Sequence, residues 1–250
     1  MGQLPPRRLD PLAFNPRRSY FTTVQSDKIT NRRPSEPKRR YGDACGTAHG
    51  LELIGDRWAL LVLRELMLGA RRFSQLRADL PGLSANVLTQ RLAELEERGL
   101  VRRRMLPPPA SAQVYEATPW GLEVEPVIQA LGRWAARSPL HDATLPLSGV
   151  SILLSFRTMI DEKKARKLDA KVGFVFGKDR YVARVRKGRI KVAQGPVEDC
   201  DAVISTQPTT LAAVVYGGAP LDLLGISGDR GVVEKFVTLF VLPPKVGQGS

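Results

Sequence analysis

Leu83–Gly99 reads LSANVLTQRLAELEERG, and the fold of the chain turns on how this stretch is read. At 3.6 residues per turn, Leu88, Leu92 and Leu95 fall on one side, flanked by Ser84 and Ala85. That side needs a core beneath it. The opposite side carries Asn86, Thr89, Gln90 and Ala93, short or amide side chains of the kind that read base edges. No acidic residue occurs between Leu80 and Ala93, whereas Glu94, Glu96 and Glu97 crowd the C-terminal half. A helix that enters a DNA groove by its first turns has this asymmetry, because carboxylates near phosphate are repelled. An amphipathic helix with a merely solvated polar face has a similar pattern, so the flanks decide between the two.

Upstream, Asp43 is expected to cap a helix running through CGTAHGLELI to Gly55 as a C′ glycine. A second helix is expected over Arg57–Leu68, apolar on most sides through Trp58, Leu60, Leu61, Leu63, Leu66 and Met67, and ended by Gly69. Phe73, Leu76 and Leu80 then repeat at spacings of three and four, predicting a short helix that Pro81–Gly82 stops. Two short helices joined by a tight glycine-containing turn, the second polar outside, make a helix-turn-helix.

Downstream, LVRRRML and VYEAT flank Pro107–Pro109 as a hairpin, the wing of a winged helix. Arg102 and Arg104 share one of its faces and Arg103 takes the other, so at least one arginine is expected to meet backbone phosphate. Thr118 caps a further helix with Pro119 at its first position. Along it Trp120, Val124, Val127, Leu131 and Trp134 form a heptad-like seam. The seam is read as a two-fold dimer interface, burial within the same chain being the alternative.

The 250 residues are enough for two modest domains, and a hydrophobic fraction of 43% fits a globular chain without a membrane-spanning run. A net charge of +13 points to polyanionic partners, nucleic acid first and anionic lipid second. Its distribution is uneven: +7 in residues 1–42, +1 in 43–141 and +5 in 142–250. The DNA-reading segment is thus nearly neutral and must depend on where single arginines sit. The proline-rich, basic residues 1–42 read as a disordered tail, either tracking phosphates beside a specific site or without a role. Two cysteines, Cys45 and Cys200, and two histidines, His49 and His141, give neither a disulfide framework nor a metal site, a composition suited to a reducing compartment. No apolar stretch follows the N-terminal arginine pairs, so no secretion signal is read.

The run from CGTAHGLELIGDRW through RRFSQL, LSANVLTQRL and GLVRRR to VYEATPWG resembles the HxlR branch of winged-helix transcriptional regulators, relatives of the MarR group. The resemblance implies a homodimeric DNA-binding regulator whose outer helices pair the subunits and whose helix after Ser84 enters the major groove. It makes Ser84, Asn86, Thr89, Gln90, Arg91, Arg102, Arg103 and Arg104 the candidate DNA contacts. The wing tip here, Pro107–Ala112, is uncharged, which leaves the arginines at its root as the phosphate candidates. Several members of the family sense oxidants through a cysteine near Cys45, expected here at the second position of the first helix with His49 one turn on. A small hydrophobe on a packing face is the alternative for it. Cys200, between Asp199 and Asp201, is expected to have a raised pKa and is set aside.

Residues 138–146 read as a linker. Beyond them Ser148–Ile160 fits helix or strand, and Asp161 is expected to cap a short basic helix through Leu168. Lys171–Phe176, Arg180–Arg186, Arg189–Gln194 and Ala202–Thr206 alternate as strands, with Lys187–Gly188 as a hairpin turn. Helices are expected at Thr209–Tyr216 and Asp229–Phe240. The run GRIKVAQGPVEDCDAVIST, followed by PTTLAAVVYGGAPLDLLGISGDRGVVEKFVTLF, resembles the sterol-carrier-protein-like fold over residues 147–242. That resemblance implies an antiparallel sheet and an apolar tunnel for a hydrophobic molecule, lined by Leu153, Phe174, Phe176, Tyr181, Leu211, Val215, Leu224, Phe236 and Phe240, each of which is otherwise an ordinary core residue. The basic stretches Lys163–Lys167 and Arg184–Lys191 read as solvated faces, a second polyanion contact being the alternative.

The sequence therefore predicts an α+β chain of two domains: a winged helix at 43–137, a sterol-carrier-like domain at 147–242, and a tail at 243–250. The expected function is a cytoplasmic, nucleoid-associated, sequence-specific transcription regulator, dimeric on double-stranded DNA and modulated by a hydrophobic effector. It is expected to need no cofactor, hold no metal, insert in no membrane and catalyse nothing, since no nucleophile elbow, phosphate loop or Cys/His cluster is present. The competing reading is a lipid carrier that uses its winged helix only to dimerise.

Overall fold

Ser84 caps the helix that the leucine spacing predicts: its hydroxyl accepts the Val87 N–H at 3.3 Å, and Leu88, Leu92 and Leu95 are buried below. This helix is the fourth in a computed structural model that describes residues 41–247. Nearly all of the expected basic tail, 1–42, and the end of the C-terminal tail lie outside the described residues. The helical half comprises α1 (Gly46–Ile54), α2 (Ala59–Leu66), α3 (Phe73–Asp79), α4 (Ala85–Glu97), the hairpin β1 (Val101–Met105) and β2 (Gln113–Ala117), α5 (Pro119–Leu122) and α6 (Glu125–Ala135).

Three expectations shift here. Asp43 does not cap α1; its carboxylate accepts the Cys45 N–H at 2.9 Å, and Cys45 itself occupies the N-cap. Gly55 has φ −75°, so a left-handed glycine does not end that helix. The single helix expected after Thr118 is two. Pro126 has no N–H to offer the Leu122 carbonyl, so α5 stops and α6 restarts with Pro126 in its first turn.

In the other half, the ambiguous Ser148–Ile160 is a helix, α7 (Gly149–Met159), capped by the Ser148 hydroxyl on Ser151 N–H at 3.0 Å. Val150, Ile152, Leu153, Leu154, Phe156 and Met159 are all buried, which is why neither period stood out. Asp161 caps α8 (Glu162–Ala165) as expected. A five-stranded sheet follows, built from β3 (Ala170–Phe176), β4 (Asp179–Arg186), β5 (Arg189–Gln194), β6 (Ala202–Ser205) and β7 (Gly225–Gly228), with α9 (Pro208–Gly217) and α10 (Arg230–Val237) between and after the last two strands. The spatial order is β5-β4-β3-β6-β7. Every pair is antiparallel except β3 with β6, which runs parallel because the chain crosses the sheet at 195–201 before β6. Lys187 and Gly188 both have positive φ, +52° and +80°, as a two-residue primed turn requires.

The two halves share one continuous core, from Ala59 in α2 to Phe240. Their junction is polar at its centre. Arg71, fully buried, donates from Nη1 to Asp179 Oδ2 at 2.8 Å and to the Tyr181 hydroxyl at 3.0 Å, and its Nη2 pairs with Asp79. The Arg71 backbone exchanges hydrogen bonds with Tyr115 of β2 at 2.9 and 2.8 Å. Nearby, the Ser148 hydroxyl donates to buried Glu65 at 2.8 Å. Burial raises the Glu65 carboxyl pKa, opposed by adjacent Arg64. Gly69 has φ +143°, a backbone conformation that side-chain-bearing residues rarely adopt, so the turn out of α2 needs glycine.

Arg71→Met leaves the partly buried Asp79 and Asp179 carboxylates side by side without their shared cation. The expected cost is about 3–5 kcal/mol of unfolding free energy, read by denaturant titration. A loss below about 1 kcal/mol, the size of an exposed ion pair, would show that the cluster does not clamp the junction.

Candidate nucleic-acid interface

The polar edge of α4 stands as the sequence places it. Ser84, Asn86, Thr89 and Gln90 are exposed, Ala93 is half-buried, and the leucines opposite face α2 and the core. Thr89 donates its hydroxyl to the Ala85 carbonyl at 2.9 Å, and Gln90 donates to Glu94 Oε1 at 3.1 Å. These are local contacts that a base edge can replace. The turn into α4 bends at Gly82, φ +84°, and Leu83 anchors it in the core.

Arg91 differs from its neighbours. Its side chain is only 12% exposed and reaches back to Asp56 at 3.0 Å and Glu94 at 2.6 Å. Arg98, not singled out from the sequence, joins it: its guanidinium donates to the Leu53 carbonyl at 2.6 Å and lies 3.3 Å from Asp56. Both arginines converge on the α1–α2 turn and hold the back of α4. The spacing of seven between them, two helical turns, was the only signal in the sequence.

The wing arginines are exposed but paired. Arg102 and Arg104, on one face of β1, both bind Glu116 of β2 at 2.6 and 3.1 Å, and Arg103 on the other face binds Glu96 of α4 at 2.8 Å. Slight burial works against ionisation of Glu116, yet the hydrogen bonds from Arg102 and Arg104 hold its carboxyl below the usual range. The Arg103–Glu96 pair fixes the wing root to the end of α4.

Along α6, Val127, Leu131 and Trp134 are exposed, Trp134 by 72%, and with Pro126 and Ala130 they form one apolar face. Trp120 of α5 is also exposed, while Val124 is half-buried at the break. Cys45 is exposed at the α1 N-cap, and the backbone N–H groups of Thr47 and Ala48 lower its thiol pKa. Cys200 is half-buried, and burial raises its pKa.

Of the nine candidate tunnel residues, all are buried except half-buried Val215. The aromatic ones pack on each other and on Phe156, which the sequence reading passed over. Phe156 stacks on Phe240 at 4.2 Å between centroids, and Phe236 lies 5.6 Å from Phe156 and 5.7 Å from Phe174. Tyr181 packs on Phe176, with 6.1 Å between centroids, and its hydroxyl accepts from Arg71. A cleft of about 340 Å³ opens at the junction, walled by Asp79 and Pro81 on one side and by Leu147, Phe176, Asp179 and Pro208 on the other. Among the described residues, no group of His, Cys, Asp and Glu is placed to hold a metal ion, and no helix is long and apolar enough to cross a membrane.

The HxlR-like helix-turn-helix family model matches residues 53–141. The uncharacterized HTH-type transcriptional regulator sll1512 of Synechocystis sp. is 38% identical over 97 residues, which are 39% of this chain and 72% of that protein. The HTH-type transcriptional regulator YodB of Bacillus subtilis is 35% identical over 83 residues, 33% of this chain and 74% of that one. The solved reduced form of YodB, at 31% identity, covers 39% of this chain and 98% of its own, with a TM-score of 0.35. On these matches, which lie in the helical half, the chain belongs to the HxlR-like helix-turn-helix family.

Proposed function

We propose that the chain is a sequence-specific, dimeric, DNA-binding transcription regulator. The observation that carries this is the capped first half of α4, whose exposed edge Ser84–Asn86–Thr89–Gln90 has no carboxylate until Glu94. The overlap of family membership with this helix supports the same reading. Asn86 and Gln90 supply amide donor–acceptor pairs suited to adenine edges, and the helix N-terminus favours phosphate. Arg102, Arg103 and Arg104 reach phosphate by leaving Glu116 and Glu96, while Arg91 acts by holding α4 in place.

The apolar face of α6 supports dimerisation, because Trp134, Leu131 and Val127 exposed side by side gain free energy when a partner surface covers them. A two-fold pairing there implies half-sites about one helical turn, ~34 Å, apart. An effector enters through the other half. Its interior is filled by packed aromatic rings, whereas the junction cleft is open, of small-molecule size, and bounded by the two carboxylates that hold Arg71. A molecule there that prefers one arrangement of the halves shifts operator affinity by that preference and no more. Thiol oxidation at Cys45 is a second input, supported by its exposure and lowered pKa.

Selection of binding sites from random duplex DNA is expected to return a two-fold-symmetric sequence. On it Gln90→Ala relaxes base preference at one position by about 1–3 kcal/mol, while Arg103→Ala weakens all duplexes alike. Absence of duplex binding at low ionic strength, with lipid co-purifying in stoichiometric amount, would establish the carrier reading in its place. Leu131→Glu is expected to yield monomers in sedimentation and to reduce duplex binding; a dimer that persists rules out the α6 seam. Alkylation of Cys45 by iodoacetamide is expected to titrate below the ordinary thiol pKa of about 8.5, and a midpoint at that value removes the redox input.

A further inference from the structure

The outer face of the sheet carries a pattern that folding alone disfavours. Arg184 and Arg186 of β4 alternate with buried Ala183 and Val185, and Arg189 and Lys191 of β5 alternate with buried Ile190 and Val192. In register, Arg184 stands directly opposite Lys191 and Arg186 opposite Arg189, with Lys187 at the hairpin tip. Like charges in directly opposed positions repel, and a sheet face under no other demand pairs opposite signs. Arg166 of the α8 end packs over Gly188 and extends the same surface. The carboxylate set against this group is Asp169, itself 54% exposed, which pairs with Arg184 and Arg186. Lys171 continues the row from β3, but it donates to the Asp199 carbonyl beside an acidic turn, so its charge is offset there.

We infer that this cationic sheet face binds the phosphate backbone of the DNA flanking the site read by α4. The inference rests on the proposed DNA-binding function. Charge complementarity selects a polyanion, and the make-up of the face selects among polyanions. Four of its six cations are arginines, which bind phosphate in a bidentate fork. Among the described residues, no exposed large apolar side chain lies between 146 and 222, so the face lacks the inserting groups of a membrane-bound surface. The cations form a rigid grid, about 5 Å apart across strands and about 7 Å along them, fixed by the sheet before binding. Position also fits a flank contact. β4 begins at Asp179, which is clamped to Arg71 in the helical half, and reaches Arg186 about 23 Å further on at ~3.3 Å per residue.

The test uses the full chain and fluorescence anisotropy on two duplexes carrying the selected site, one of 20 base pairs and one of 60. The variant is Lys187→Gln/Arg189→Gln/Lys191→Gln, whose side chains are outside the Asp169 pair. It is expected to bind the 20-base-pair duplex like wild type. On the longer duplex it is expected to lose about tenfold in affinity, and its slope of log K against log salt is expected to fall by up to about three, near 0.9 per lost phosphate contact. Arg184→Gln/Arg186→Gln, with a melting curve to establish folding, is expected to give the same length-dependent loss. Wild-type affinity and slope in both variants on the 60-base-pair duplex overturn the inference. So does a loss confined to vesicles of anionic lipid or to single-stranded RNA. Failure of the wild-type chain to bind either duplex is a different result, and it overturns the DNA-binding reading itself.

Discussion

One buried guanidinium ties the helical half and the sheet half of this molecule together. Arg71 is 1% exposed, and burial works against its charge; Tyr181, Asp79 and Asp179 outweigh burial and hold it protonated. Taking such a charge out of water costs several kcal/mol unless the geometry of its partners is met in full. That condition makes the cluster a constraint on position. Asp79 ends α3, one short turn ahead of α4; Asp179 and Tyr181 begin β4; Tyr115, bonded to the Arg71 backbone, lies in the wing. A shift of β4 must therefore move α3 and the wing with it, or leave a charge unpaired in a dry environment.

The same constraint joins with a shared core to hold the two halves against each other. Residues 138–146 do connect two sequence patterns, but the core runs through from α2 to α7, and Glu65 meets Ser148 across the join. The buried Glu65 carboxyl meets Arg64 at 2.7 Å and accepts from the Ser148 hydroxyl, and these contacts oppose the rise in pKa that burial causes. The Gln194 N–H then donates to the Leu68 carbonyl at 3.3 Å, joining the β5 end to the α2 exit beside Gly69. Close packing at an interface of this kind transmits displacement, because packed elements have few arrangements and little compliance.

The legible parts of the fold were those written in local period. The leucine stripe of α4, the Lys187–Gly188 turn and the Asp161 cap each follow from a few neighbouring residues, and each stands in the structure. Arg71 was illegible for the converse reason. In sequence it is half of an Arg71–Arg72 pair that looks solvated, and its partners at 179 and 181 lie more than 100 residues away. The strand β7 was hidden because GISG carries no alternating apolar signal; β6 holds it by backbone pairing alone. The parallel β3–β6 pair is a property of the crossing at 195–201, which no pattern within either strand encodes. Arg91 entered the candidate contacts through the family resemblance, and in the structure its guanidinium pairs with Asp56 and Glu94. The candidate tunnel residues are a different case. Residue types were read correctly as apolar and facing inward, but whether facing rings leave a void or fill it depends on distances such as the 4.2 Å between Phe156 and Phe240.

The charge budget of the helical half shapes how such a protein would meet DNA. Its net charge is close to zero, and Arg102, Arg103 and Arg104 each already have a carboxylate partner within ion-pair distance. Bringing phosphate to Arg102 and Arg104 exchanges one anion for another and leaves Glu116 beside the backbone, so the net electrostatic gain at the wing is small. Exposed pairs are individually weak, which keeps that exchange fast and reversible. Discrimination then falls to hydrogen bonding along α4, where a mismatched base strands a donor or acceptor, while general attraction for the polyanion must come from charge held elsewhere. The chain holds such charge in residues 1–42, at +7, and on the cationic outer sheet, whose Arg184–Lys191 and Arg186–Arg189 pairs oppose like charge to like. On the proposed reading, separating the two tasks would let a displacement at the Arg71 junction weaken reading by α4 without first stripping the protein from DNA.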